Sequence, residues 1–178
     1  NTVMIDGGKG IATIIGIEEM HLPVAQWDDE AERFKSYAIS SVSNNNTIIL
    51  NNVDLDAQEI VGIKKTAMDH YYDQNNVNLT TNDNIVLISD SHISAEDGVT
   101  GISTIVEYQS WNESRPDLFS HLTLNAAYNT LSITDSEIEG DIRGTQLALG
   151  TSSPWGQPLM SGNKIDADNS HNTLNLTG

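Results

Sequence analysis

Asn46-Thr47-Ile48-Ile49-Leu50-Asn51-Asn52-Val53-Asp54-Leu55-Asp56-Ala57 decides the reading of this chain. Ile48 and Leu50 fall on one face of an extended strand, and Val53, Leu55 and Ala57 continue an apolar face after the corner Asn51-Asn52. Alternation at a period of two buries one side of a strand and wets the other. The pattern then recurs. Asn1-Thr2-Val3-Met4-Ile5, Asn84-Ile85-Val86-Leu87-Ile88, Asn129-Thr130-Leu131-Ser132-Ile133 and Asn172-Thr173-Leu174-Asn175-Leu176 align on the leading Asn, at successive offsets of 45, 38, 45 and 43 residues. One apolar column reads Val3, Ile48, Val86, Leu131, Leu174 and the next Ile5, Leu50, Ile88, Ile133, Leu176.

The register holds on both sides of this anchor. Downstream, Ser91-His92-Ile93-Ser94-Ala95 and Ser136-Glu137-Ile138-Glu139-Gly140 repeat the run Val53–Ala57, with Gly8, Gly10 and Ala12 in the same places of the first copy. Upstream, Ile39, Val77, Leu122 and Ile165 each stand seven residues before an Asn. Repeats of this size built only of strands read as coils of a solenoid, each strand pairing with its equivalent one turn on. The expectation is an all-β, right-handed parallel β-helix of about four coils, with repeats starting near 1, 46, 84, 129 and 172. An antiparallel sandwich would not explain columns that recur at 38 to 45 residues. The leading Asn is expected to form a ladder at a left-handed corner, its amide bonding to the next copy. Residues 1–178 read as one solenoid segment of a longer repetitive protein.

A minimal three-strand coil needs ~20–25 residues, so each repeat carries an excursion. These are expected at roughly 18–36, 66–76, 107–120 and 150–163, after third strands such as Ala12–Ile17 and Val99–Val106. All four prolines (Pro23, Pro116, Pro154, Pro158), all three tryptophans and both phenylalanines fall inside them. Proline is poorly tolerated within a ladder because it lacks the N–H. Asp28–Phe34, with acids in its first turn, suggests a short helix. If the excursions leave from equivalent points they stack into a ridge carrying Trp27, Tyr71, Tyr72, Tyr108, Trp111 and Trp155. Such rings can grip sugars or proteins. They can equally seal each excursion onto the strands beneath.

Composition narrows the partners. The formal charge is −17, from 25 acidic against 8 basic residues. That field repels phosphate backbones and anionic membranes, so neither nucleic acid nor membrane insertion of this segment is expected. Cysteine is absent, which argues against a disulfide-stapled eukaryotic domain and is compatible with export through a bacterial periplasm. No stretch approaches the ~20 apolar residues of a membrane helix.

Outward positions line up as Asp54, His92, Glu137 and as Asp56, Ser94, Glu139, with Asn52, Asp90, Asp135 at a corner. Paired carboxylates can perform acid–base work on a glycosidic bond or hold Ca²⁺; alternation alone also predicts a solvated polar face. No basic residue is expected to join these columns, so the Arg or Lys of a lyase is missing. The five His have no zinc-type spacing, and no Gly-x-Ser-x-Gly elbow or phosphate loop is present. Catalysis, a cofactor and a metal are therefore not expected. The alternative is a β-helical polysaccharide lyase or hydrolase using Asp90, Asp135, Glu137 or Glu139.

The Asn-Thr-Leu-x-Leu and Asn-Thr-Ile-x-Leu openings, with Thr, Ser, Asn and Asp on the wet positions, resemble passenger domains of type V autotransporters, the self-associating adhesins above all. The resemblance implies a rod displayed on the bacterial cell surface and anchored in the outer membrane by a separate barrel domain. It also implies a role in cell aggregation, biofilm formation or binding of host matrix protein or glycan. The candidate contact residues are Asp54, His92, Glu137 and Glu139 on the ladder face, with the aromatic ridge beside them. The long aromatic excursions depart from the plain passenger pattern.

Overall fold

The computed structural model describes residues 1–21, 27–30, 32–34, 38–70, 76–109, 121–151 and 164–178, with only the backbone described at 33–34, 68–70, 108–109 and 150–151. Among them the chain is all-β and contains no helix. The first repeat supplies β1 (Thr2–His21), the short β2 (Trp27–Asp28) and β3 (Arg33–Phe34), and β4 (Ala38–Val42). The second supplies β5 (Thr47–His70) and β6 (Asn76–Thr80). β7 (Ile85–Ser89), β8 (His92–Ala95), β9 (Val99–Gln109) and β10 (His121–Asn125) form the third. β11 (Thr130–Thr134), β12 (Glu137–Glu139), β13 (Ile142–Thr151) and β14 (Lys164–Asp168) form the fourth, and β15 (Thr173–Thr177) begins another.

Every pairing between repeats is parallel. Val3 pairs with Ile48, Ile48 with Val86, Val86 with Leu131 and Leu131 with Leu174. The anchor column is thus one continuous file, as its sequence alignment predicts. The downstream file (Lys9, Asp54, His92, Glu137) and the upstream file (Ile39, Val77, Leu122, Ile165) are equally continuous. The strands form one large curled sheet and a four-stranded sheet ordered β14-β10-β6-β4, an arrangement that fits a β-solenoid.

Two apolar clusters fill the interior. One joins Ile48, Leu50, Val53, Val86, Ile88, Ile93, Ile102 and Leu131; the other joins Ala67, Val77, Leu79, Val106, Leu122 and Leu124. Full burial of each Leu or Ile contributes about 1.5–3 kcal/mol. A polar seam interrupts the inward files where the chain passes from one cluster to the other. Thr104 stands between Ile102 and Val106, and Thr81 between Leu79 and Val86; their hydroxyls meet at 2.8 Å, buried. Lys65, fully buried, occupies the Thr104 file one repeat earlier, and Glu19 the repeat before that. The Lys65 ammonium lies 3.3 Å from Glu19 and donates to the Thr80 carbonyl at 3.1 Å.

The leading asparagines form the expected ladder, with a different backbone. Asn1 Nδ2 donates to Asn46 Oδ1 (3.2 Å), Asn46 to Asn84 (3.0 Å) and Asn84 to Asn129 (3.0 Å). The left-handed residue is the one before each: Asn45 (φ 56°), Asp83 (56°), Tyr128 (59°) and His171 (56°). The corner turns there so that the next side chain can point inward. A second corner falls where the sequence places it, and its residues Asn52, Asp90 and Asp135 are themselves left-handed, at φ 53°, 49° and 48°.

Further differences from the sequence expectation have physical reasons. The strands run on to His21, His70, Gln109 and Thr151, two to five residues into the segments expected to be excursions, because Glu18, Lys64 and Ser103 and their successors still find ladder partners. In place of a helix, Trp27–Asp28 and Arg33–Phe34 pair antiparallel. Asp28 Oδ1 accepts the Glu30 N–H at 3.1 Å and Glu32 is left-handed (φ 49°), which commits the segment to a turn. Gly16, Gly62, Gly101 and Gly144 form a file absent from the sequence reading. A Cβ built on Gly62 would lie 2.6 Å from the Gly101 carbonyl oxygen and collide with a Val86 methyl. Glycine lets the third strand close over the first.

Candidate binding faces on the outward columns

Once Ile48, Leu50, Val53, Leu55 and Ala57 are turned inward, their neighbours must face out. The outward residues of β1, β5, β8 and β12 after the Asn52-type corner make an acidic face. Lys9, Asp54, His92 and Glu137 follow one another on adjacent strands, with Ile11, Asp56, Ser94 and Glu139 beside them. Lys9 corrects the sequence expectation that no basic residue joins these columns. Its partner position was implied by the alignment of Gly8 and Gly10 with Val53 and Leu55, which places Lys9 over Asp54 and Ile11 over Asp56.

The first column is a chain of polar contacts. Lys9 Nζ donates to Asp54 Oδ2 at 2.6 Å, and Asp54 Oδ1 lies 3.4 Å from His92 Nδ1. His92 Nε2 faces Glu137 Oε2 at 3.9 Å. The hydrogen bond from Lys9 holds the Asp54 carboxyl below its ordinary range, with His92 assisting, and the same contact raises the Lys9 ammonium. Ile11 is 88% exposed and walls a shallow groove of about 440 Å³ with Asp56, Gln58, Ser94, Glu96 and Glu139. An aliphatic side chain beside carboxylates and amides can meet either a cationic or a carbohydrate surface.

Around the corner the face changes character. The outward residues of β7, β11 and β15 and of Thr47–Asn51 are uncharged, and Met4, Ile49 and Leu87 form an apolar file among hydroxyls and amides. In β1 the strip ends on a charge, Asp6, which accepts from Asn51 at 2.7 Å. On the four-stranded sheet His121 Nε2 contacts Asp166 at 2.9 Å, and Lys164 donates to that same carboxylate at 2.8 Å. At the left-handed corner Tyr128 stacks on His171, ring centroids 4.8 Å apart. Neither ring was singled out from the sequence, although each directly precedes a ladder Asn.

The structure therefore brings Asp54, His92, Glu137 and Glu139 together on one face. Trp27 is 52% exposed on the small hairpin. Tyr108 lies on β9, where its backbone pairs with Asp69 and Thr151. Tyr71, Tyr72, Trp111 and Trp155, and with them the proposed ridge, lie outside the described residues. The chain matches no protein-family model, no curated protein and no solved structure.

Proposed function

We propose that the chain is a right-handed parallel β-helix of about four coils and serves as a segment of a surface-displayed adhesin of the autotransporter-passenger type. It mediates aggregation or holds host matrix protein or glycan. The observation that carries this reading is the pair of outward faces just described: an acidic column beside an uncharged strip, both repeated strand by strand. Binding on such a surface adds many weak contacts, each hydrogen bond worth about 0.5–1.5 kcal/mol, and the sum grows with the length of the rod. The excess negative charge keeps copies apart except where the uncharged strips meet.

Catalysis on the acidic face is disfavoured by its exposure. Acid–base chemistry on a glycosidic bond normally proceeds in a site that encloses the substrate and excludes water, whereas the Glu137 side chain is 75% exposed on an open face. On this reading the segment is held at the outer membrane through a separate domain of the parent protein.

The test is display of the parent protein on cells, scored for aggregation and for capture of matrix proteins and glycans. Replacing Asp54, Glu137 and Glu139 by Ala should change one of these readouts several-fold if the ladder face makes the contact. Replacing Trp111 and Trp155 by Ala should do so if the aromatic segments make it. Full activity in both variants removes the adhesin reading. Cleavage of any member of a glycan panel, with or without Ca²⁺, replaces it with the enzyme reading.

A further inference from the structure

Each ring nitrogen of His92 faces a carboxylate on an adjacent strand, Asp54 on one side and Glu137 on the other. On one side Asp54 Oδ1 lies 3.4 Å from Nδ1, and Asp54 is itself tied to Lys9 through its other oxygen. With the proton on Nδ1, the ring donates to Asp54 and turns the Nε2 lone pair toward the next strand. There Glu137 is the direct ladder partner of His92, and Glu139 follows on the same outward side. One donor atom each from His92, Glu137 and Glu139 lie within 4.8 Å of one another.

We propose that His92, Glu137 and Glu139 bind a divalent cation of the zinc class, with Asp54 holding the imidazole from behind. One imidazole nitrogen and two carboxylate oxygens form a donor set suited to Zn²⁺, which binds them at ~2.0–2.2 Å. Tetrahedral coordination then requires donors roughly 3.3–3.6 Å apart. Exposed side chains reach that from 4.8 Å by small rotations, while the β8–β12 ladder holds their backbones in place. Two carboxylates balance the charge of the ion, and the surrounding excess of acids attracts it. Ca²⁺ fits poorly, because it takes six to eight oxygens and this set offers a nitrogen in place of one. Glu139 also lines the shallow groove with Ser94, and all three side chains are exposed, so water can complete the coordination. Carboxylate support of a ligating imidazole fixes its tautomer and typically raises metal affinity 10- to 100-fold.

His121 supplies the internal contrast. Like Asp54, its carboxylate partner Asp166 is held by a lysine, Lys164 at 2.8 Å. On the opposite side, however, its ladder partner is the neutral Asn76, so among the described residues no further carboxylates converge on the ring as Glu137 and Glu139 do on His92.

Calorimetric titration of the whole chain with zinc chloride alone, at neutral pH in chelator-free buffer, tests the site, with the histidine ring resonances followed by NMR. The expected result is one saturable site whose binding perturbs the His92 ring and survives excess Ca²⁺. His92→Gln should abolish it, Glu137→Gln and Glu139→Gln together should weaken it at least tenfold, and Asp54→Asn should weaken it about 10- to 100-fold. His121→Gln should leave it unchanged. Circular dichroism confirms that these surface variants keep the β fold. Absence of saturable zinc binding overturns the proposal, as does binding that His92→Gln leaves intact or that moves only the His121 or His171 rings. None of these outcomes bears on adhesion, so the two readings fail separately.

Discussion

Asn84 occupies the centre of the inward amide ladder and is fully buried. Its Nδ2 donates to Asn129 Oδ1 at 3.0 Å and to the Ser43 carbonyl at 2.9 Å, and its Oδ1 accepts from the Asn46 backbone N–H and from Asn46 Nδ2, both at 3.0 Å. Truncation by Asn84→Ala removes all four bonds. Asn129 Oδ1 keeps the Asn84 backbone N–H at 3.0 Å and stays satisfied. The Asn46 backbone N–H, one Asn46 amide hydrogen and the Ser43 carbonyl lose these partners. At about 1–3 kcal/mol for each buried polar group left unpaired, and with water entering the vacated space to recover part of the loss, the expected cost is about 3–5 kcal/mol. Asn1→Ala removes a single 3.2 Å bond at a partly buried end and should cost about 0.5 kcal/mol. Urea unfolding followed by far-UV circular dichroism measures both, and amide exchange at Asn46 reports the local loss in case neighbouring repeats unfold separately. Asn84→Asp sharpens the test. The new carboxylate would face the Asn129 and Ser43 oxygens, so its folded proton affinity is raised and the variant should regain stability as pH falls and the carboxyl protonates. A cost of Asn84→Ala below ~1 kcal/mol, or no larger than that of Asn1→Ala, would refute the claim that the ladder holds this corner.

The buried ammonium gives an asymmetric pair of outcomes: Glu19→Gln strands a buried charge and should cost about 2–4 kcal/mol, whereas Lys65→Met leaves Glu19 held by Ser41 and Ser43 and should cost less than ~1 kcal/mol in thermal or urea unfolding. Burial alone would push the Glu19 carboxyl up, but the Ser41 and Ser43 hydroxyls and Lys65 overcome it and hold the group at about 2, against an ordinary 4.5. The folded state therefore binds fewer protons than the unfolded one between these values. Its contribution is complete above pH 4.5 and is lost as pH falls toward 2; an acid titration of Glu19→Gln should lack that part of the wild-type decline. Gly62→Ala should cost about 1–3 kcal/mol by forcing the third strand off the first, while Gly10→Ala, whose new methyl meets nothing within 4 Å, should be neutral or slightly stabilising by the same measurement.

The repeat columns were legible because each inward residue answers to the same requirement in every copy. A strand laid on its equivalent at the ~4.8 Å ladder spacing buries the same face, so Ile48, Val86 and Leu131 stay apolar while the offset varies from 38 to 45 residues. The acidic column was legible for the complementary reason: Asp54, His92 and Glu137 are outward because their neighbours are inward. Lys9 went unrecognised as the fourth member because the first copy has Gly8 and Gly10 where others have Val53 and Leu55. Without apolar flanks its outward place leaves a weak trace.

Sequence by itself determined which residues share a file and which side of each strand is wet, since a period of two and a recurring register are one-dimensional properties. Only the tertiary structure decided what meets between files. The contact of Lys65 with Thr80, that of Glu19 with Ser41 and Ser43, that of Thr81 with Thr104, and the closure of Gly62 over Val86 each join residues from different files. Their proximity depends on where the corners turn, and a corner is set by one left-handed residue that can be Asn, Asp, Tyr or His. Side-chain identity constrains that backbone choice weakly; packing on both sides of the corner constrains it strongly.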